Sequence, residues 1–225
     1  MLNARHIYYK EYVKTRRALC AALIVMAAMT IYIFVDLNQT IRFNGMTALV
    51  AHILMRDTRI GMQLRLLPSI VAVGIALVQF IPEMTNNRLK LTLHLPLPEG
   101  TIIRTMLFWG IAALTLIYAL EYIAMRIGLS AYFAPQIVDA HMSDTLPWFI
   151  GGLTCYLLTA WIIIEPTWRQ RICNCIIAMP LALLFLQRTS CCGAYDHIMW
   201  LLWLTLLLTV VFPLHSACRF KRGAQ

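Results

Sequence analysis

The chain is organised by apolar runs, each about the length of a bilayer crossing, separated by short polar segments in which positive charge collects. A helix needs roughly 17–25 mainly apolar residues to cross about 30 Å of hydrocarbon, and isolated strands would leave backbone groups unpaired in lipid. Six runs qualify or come close, at about 18–35, 62–81, 105–125, 147–164, 172–187 and 198–217. The pattern predicts an all-α polytopic membrane protein with six transmembrane helices and an N-terminal interfacial helix. The fifth run is the shortest, and a five-span chain is the alternative.

The segments between runs have patterns of their own. Over residues 1–17, Ile7, Tyr8, Tyr12 and Val13 can share one helical face, while Arg5, Lys10, Lys14, Arg16 and Arg17 offer cations to lipid headgroups. This stretch reads as an amphipathic elbow helix, and a basic flank that only sets orientation is compatible with it. At about 45–57, Met46, Leu49, Val50, Ile53 and Leu54 recur at helical spacing and predict a short helix on the outer surface. Between the third and fourth runs, Pro135, Asp139, His141 and Asp144 read as a polar connector of one or two turns.

Composition makes lipid the solvent. The 225 residues are 60% hydrophobic and 13% charged, with mean hydropathy +0.71, more apolar surface than one soluble core can hide. The net charge of +9 would suggest nucleic acid in a soluble protein, but here it marks topology and no nucleic-acid partner is expected. Thirteen Lys and Arg fall at the two ends and in the even-numbered loops, and six (Arg42, Arg56, Arg59, Arg65, Arg126 and Arg188) on the opposite side. That bias places both termini in the cytoplasm of a multi-pass inner-membrane protein, in accord with an even number of spans.

Few polar groups sit inside the runs. Charged residues at the bilayer centre cost about 2.5–3.5 kcal/mol on insertion scales, so Glu121, with Arg126 nearby, is the leading intramembrane candidate. Its i,i+5 spacing from Arg126 favours a partner on another helix, and snorkelling to the outer interface is the bland alternative. Gln79 and Thr154 suit interhelical hydrogen bonds. The seven cysteines lie in or beside apolar runs; Cys191 and Cys192 near His197, and Cys173 with Cys175, lack a workable set of metal ligands, and no metal site is expected. Neither H-E-x-x-H, G-x-S-x-G nor a P-loop occurs, so no catalytic residue is assigned.

The most informative stretch is 83–104, EMTNNRLKLTLHLPLPEGTIIR, which interleaves Arg88 and Lys90 with Leu89, Leu91, Leu93, Leu95 and Leu97 before Pro96 and Pro98 end any regular element. Such a segment suits a protein partner or the membrane surface. A basic N-terminal helix, six spans and an E-x4-R-L-x-L-x-L-x-L-P loop between spans two and three resemble an ABC-2 type transporter permease. The resemblance implies that Glu83, Arg88, Leu89, Leu91, His94, Leu95, Pro96 and Pro98 form a cytoplasmic coupling surface for a separate ATP-binding cassette subunit. ATP and Mg would sit on that subunit, no cofactor on this chain, and a second permease subunit, most simply a homodimer partner, would complete the pathway. The outer segment between the last two spans, QRTSCCGAYDH, is shorter than is common in that family. Two other classes stand beside this reading. One is a membrane-embedded enzyme acting on a lipid or thiol through Glu121, Asp139, His141, Asp144 and the outer cysteines; the other is a non-catalytic scaffold subunit.

Overall fold

The computed structural model describes residues 4–56, 60–85, 99–187 and 195–221. Of the residues singled out above, Arg88, Leu89, Leu91, His94, Leu95, Pro96 and Pro98, as well as Cys191 and Cys192, lie outside them. The described chain is helical: α1 (Ala4–Asn44), α2 (Met46–Arg56), α3 (Leu67–Met84), α4 (Glu99–Ser130), α5 (Pro135–Ile164), α6 (Trp168–Phe185) and α7 (Met199–Lys221), with single turns at Met62–Arg65 and Asp196–Ile198.

The elbow and the first span are one element. α1 runs for 41 residues without a break near residue 17, because no Gly or Pro interrupts Ala4–Asn44. It stops at Gly45, whose left-handed backbone (φ 78°) lets its N–H reach Ile41 O at 3.0 Å before α2 begins. α2 falls where the spacing of Met46, Leu49 and Val50 predicts a helix.

The polar connector expected between the third and fourth runs is shorter than the sequence suggested. Only residues 131–134 separate α4 from α5, and Pro135 opens α5 with its φ already helical and no N–H to leave unsatisfied. Asp139, His141 and Asp144 are therefore helical, the last two buried.

Among the described residues five helical stretches are long and apolar enough to cross a membrane: those within α1, α4, α5 and α7, and α3 with the turn before it. α6 falls short of them, since Arg169, Gln170, Arg171 and Asn174 dilute its first two turns. Its direction nonetheless follows from its neighbours. Ile150 of α5 packs with Leu202 of α7, and Glu165 just past α5 pairs with Arg219 of α7, so these helices run parallel. The chain between them must return, and α6 carries it back along α5 until Tyr195 donates to the carbonyls of Leu184 and Gln187, both at 3.3 Å.

α5 is the hub. In its most apolar stretch 72% of residues are buried, against 22% in α1, and α3, α4, α6 and α7 all pack on it. Close approach needs a missing side chain at Gly151, where a Cβ would come within 2.5 Å of Phe185 Cβ on α6. At one end of the bundle Tyr8 of α1, Arg104 of α4 and Leu214 of α7 line a common cavity of about 390 Å³. The first turns of α1 and the last turns of α7 are thus at the same end.

Candidate functional site

That end of the bundle holds a polar network built from four helices. The buried stripe of α1 begins Ile7, Glu11, Thr15, a spacing of four, so the stripe predicted from Ile7, Tyr8, Tyr12 and Val13 is rotated: Tyr12 and Val13 are exposed. Tyr8 and Tyr12 instead meet the edge of Trp109 on α4, with ring centroids 6.4 and 6.0 Å apart. Trp109 Nε1 donates to Thr15 Oγ1 at 3.1 Å, and Thr15 in turn donates to Glu11 O at 2.8 Å.

Glu11 is fully buried and shares a lysine with Glu83, at the C-terminal end of α3. Lys14 Nζ lies 2.8 Å from Glu11 Oε1 and 2.9 Å from Glu83 Oε1. Lys10 Nζ reaches Glu83 at 2.9 Å to Oε1 and 3.1 Å to Oε2. Two carboxylates and two ammonium groups cancel formally, which is what allows the two carboxylates to be buried, since an unpaired charge there would carry a desolvation cost of several kcal/mol. Lys14, expected to face headgroups, is turned inward by these carboxylates, whereas Lys10 reaches Glu83 from an exposed position and Arg16 and Arg17 are exposed.

Gln79, one turn before Glu83, extends the network inward. Its Nε2 donates to Glu11 Oε2 at 3.0 Å and to Met106 O at 2.8 Å, and its Oε1 accepts from Tyr156 Oη of α5 at 2.7 Å. Every donor and acceptor of the amide is used, as burial without water requires. The arrangement depends on Gly110 of α4, where a Cβ would stand 2.0 Å from Tyr156 Oη and 2.7 Å from Gln79 Oε1.

A third buried carboxylate, Glu165, sits at the same end. It accepts from Ser216 Oγ at 2.5 Å and pairs with Arg219 Nη1 at 3.2 Å, both on α7, and Thr167 Oγ1 donates to it at 3.3 Å. Arg171 of α6 donates to the carbonyls of Glu165 (2.7 Å) and Ile163 (3.3 Å), closing the open end of α5. The first and last helices are therefore each fastened to the α3–α5 centre by a buried glutamate, Glu83 for α1 and Glu165 for α7.

The intramembrane pair considered from sequence is divided. Glu121 is buried and accepts from Thr30 of α1, which also donates to Met26 O. Arg126 pairs with Asp139 at 3.0 Å on the exposed surface. Thr154 bonds its own helix, to Ile150 O at 3.0 Å, and among the described residues makes no interhelical hydrogen bond. The cysteines of α6, Cys173 and Cys175, are exposed free thiols. Among the described residues no group of three His, Cys, Asp or Glu side chains could hold a metal ion.

Sequence reasoning singled out Gln79 for interhelical hydrogen bonds and Glu83 for a coupling surface, and did not single out Glu11, Tyr156 or Glu165. Glu11 carried a signal: it is the single acidic residue among the basic ones of the first 17 residues, three before a lysine. Tyr156 and Glu165 carried none, since their partners lie 77 and 51 residues away. Comparison of the chain with protein-family models, curated proteins and solved structures finds no match. The fold and this network define a helical membrane protein with a buried ion-pair network at one end of the bundle.

Proposed function

We propose that this chain is the membrane-spanning permease subunit of an ATP-driven exporter similar to ABC-2 type transporters, working in the cytoplasmic membrane as one of two permease subunits. ATP and Mg belong to a separate ATP-binding cassette subunit, which docks on the segment around Arg88, Leu89, Leu91, His94, Leu95, Pro96 and Pro98. The positive charge bias supports cytoplasmic termini, and hence a cytoplasmic docking face.

The observation that carries the reading is the anchorage of Glu83. This residue ends α3 just before the docking segment, and both lysines of the first α1 turns hold its carboxylate. A displacement of that segment is delivered to α3 and α1 together, and through Gln79 and Tyr156 to α5 at the centre. Packed helices move as rigid units, so a push at one end becomes a reorientation of the bundle. In this reading Glu83 transmits the push internally, and the residues after it meet the partner.

The test is purification of the tagged chain in mild detergent, with mass spectrometry of its partners and an ATPase assay. The expected result is co-purification of a nucleotide-binding subunit that is lost from the Arg88→Glu, Leu95→Asp double variant. A chain that emerges alone, or with partners that bind no nucleotide, refutes the proposal.

A further inference from the structure

Two cavities on the α3–α5–α6 side form one groove. The first, about 680 Å³, lies at the end of the bundle that carries the polar network, between Thr85, Trp168 and Arg171. The second, about 630 Å³, shares Ile162, Cys175 and Ile176 with it and continues to Val73 and Ala182. From Arg171 to Ala182 the groove follows α6 for eleven residue steps, roughly 16 Å at about 1.5 Å per step. One leaflet of hydrocarbon is about 15 Å deep, half of about 30 Å. The groove thus has the depth of one acyl chain, and its walls are almost wholly apolar.

The mouth is positive. Arg171 is fixed there by its bonds to the carbonyls of Ile163 and Glu165, and its guanidinium lies 6.0 Å from the Trp168 ring. Arg169 is exposed in the same turn. The nearby carboxylate of Glu165 is buried and already neutralised by Arg219, and among the described residues no acidic side chain lines either cavity. An aromatic and a fixed guanidinium above an apolar slot complement an anionic headgroup with its chain beneath, and basic pockets between helices on the cytoplasmic side are suited to anionic lipid.

We propose that the α3–α5–α6 groove binds an anionic phospholipid, one acyl chain lying along Ile162, Cys175 and Ile176 and its phosphate held at Arg171. The inference rests on membrane embedding and on the cytoplasmic placement of this end of the bundle, and needs no ATPase partner.

The full chain is placed in nanodiscs of equal parts phosphatidylcholine and phosphatidylglycerol, doped with either lipid carrying a photoreactive diazirine in its acyl chain. Adducts are mapped by mass spectrometry. The phosphatidylglycerol probe is expected to label Ile162, Cys175 or Ile176 about fivefold more than the phosphatidylcholine probe, the effect of one basic residue at a membrane surface. Arg171→Gln removes that preference and Arg171→Lys retains it. Ile176→Trp, which fills the slot and leaves Arg171 in place, lowers labelling by both probes. Equal labelling of the wild-type chain by the two probes overturns the proposal and needs no variant to fold. Cross-linking of Cys175 between two chains by a short bismaleimide also overturns it, by showing that a second copy covers the groove.

Discussion

Lys14 Nζ stands 2.9 Å from Glu83 Oε1, joining the first turns of α1 to the last turn of α3 across 69 residues of sequence. The same nitrogen holds Glu11, so one side chain neutralises parts of two buried carboxylates. Lys10 touches Glu83 alone and is 44% exposed against 17% for Lys14. Removing the buried partner of an ion pair costs about 3–5 kcal/mol, whereas an exposed one contributes about 1 kcal/mol or less. Lys14→Met should therefore lower the unfolding midpoint in detergent well beyond Lys10→Met, and equal shifts would show that the network is not buried as described.

Gly110 tests the packing beneath that network. A Cβ there would overlap Tyr156 Oη at 2.0 Å and Cζ at 2.3 Å, so Gly110→Ala is expected to destabilise by about 1–3 kcal/mol. Tyr156→Phe relieves only the first overlap and leaves Gln79 without a donor, so it should rescue little. Gly74 is the control. Nothing lies within 4 Å of its added Cβ, and Gly74→Ala should be neutral or stabilising by up to about 1 kcal/mol through helix propensity. Thermal unfolding followed by tryptophan fluorescence separates the two.

Glu121 has Thr30 as its hydrogen-bond partner and no basic side chain paired with it among the described residues. Glu121→Gln keeps the hydrogen bond and removes the possibility of an unpaired buried charge, so it should leave stability unchanged or raised. Thr30→Val should cost about 0.6 kcal/mol, the usual value of such a bond between membrane helices. A large loss of stability in Glu121→Gln would mean that a cation is bound there.

The number of crossings can be read with reporters. Tyr8 and Leu214 line one cavity, so fusions at the two termini should report the same side of the membrane, and the charge bias predicts that this side is the cytoplasm. A fusion at Phe133, between α4 and α5, should report the other side. A C-terminal reporter opposite to the N-terminal one would mean that α6 does not cross.

The succession of helices was legible in the sequence because lipid imposes it: any apolar run of crossing length must satisfy its own backbone, and α3, α4, α5 and α7 lie where the runs predict. The join of elbow and span in α1 was legible in principle, since Ala4–Asn44 holds no helix breaker, and so was the start of α5 at Pro135. Gln79 and Glu83 stood out as polar residues in or beside an apolar run. Tertiary structure alone decided what they do. Whether Lys10 and Lys14 face headgroups or Glu83, and whether Glu121 finds Arg126 or Thr30, depends on which helix faces meet. Those faces are set by close approaches such as Gly110 on Tyr156 and Gly151 on Phe185, between residues far apart in the chain. Periodicity within one helix determines which side is apolar, but in lipid an apolar side has no obligation to face the protein, so the pairing of faces had to come from packing.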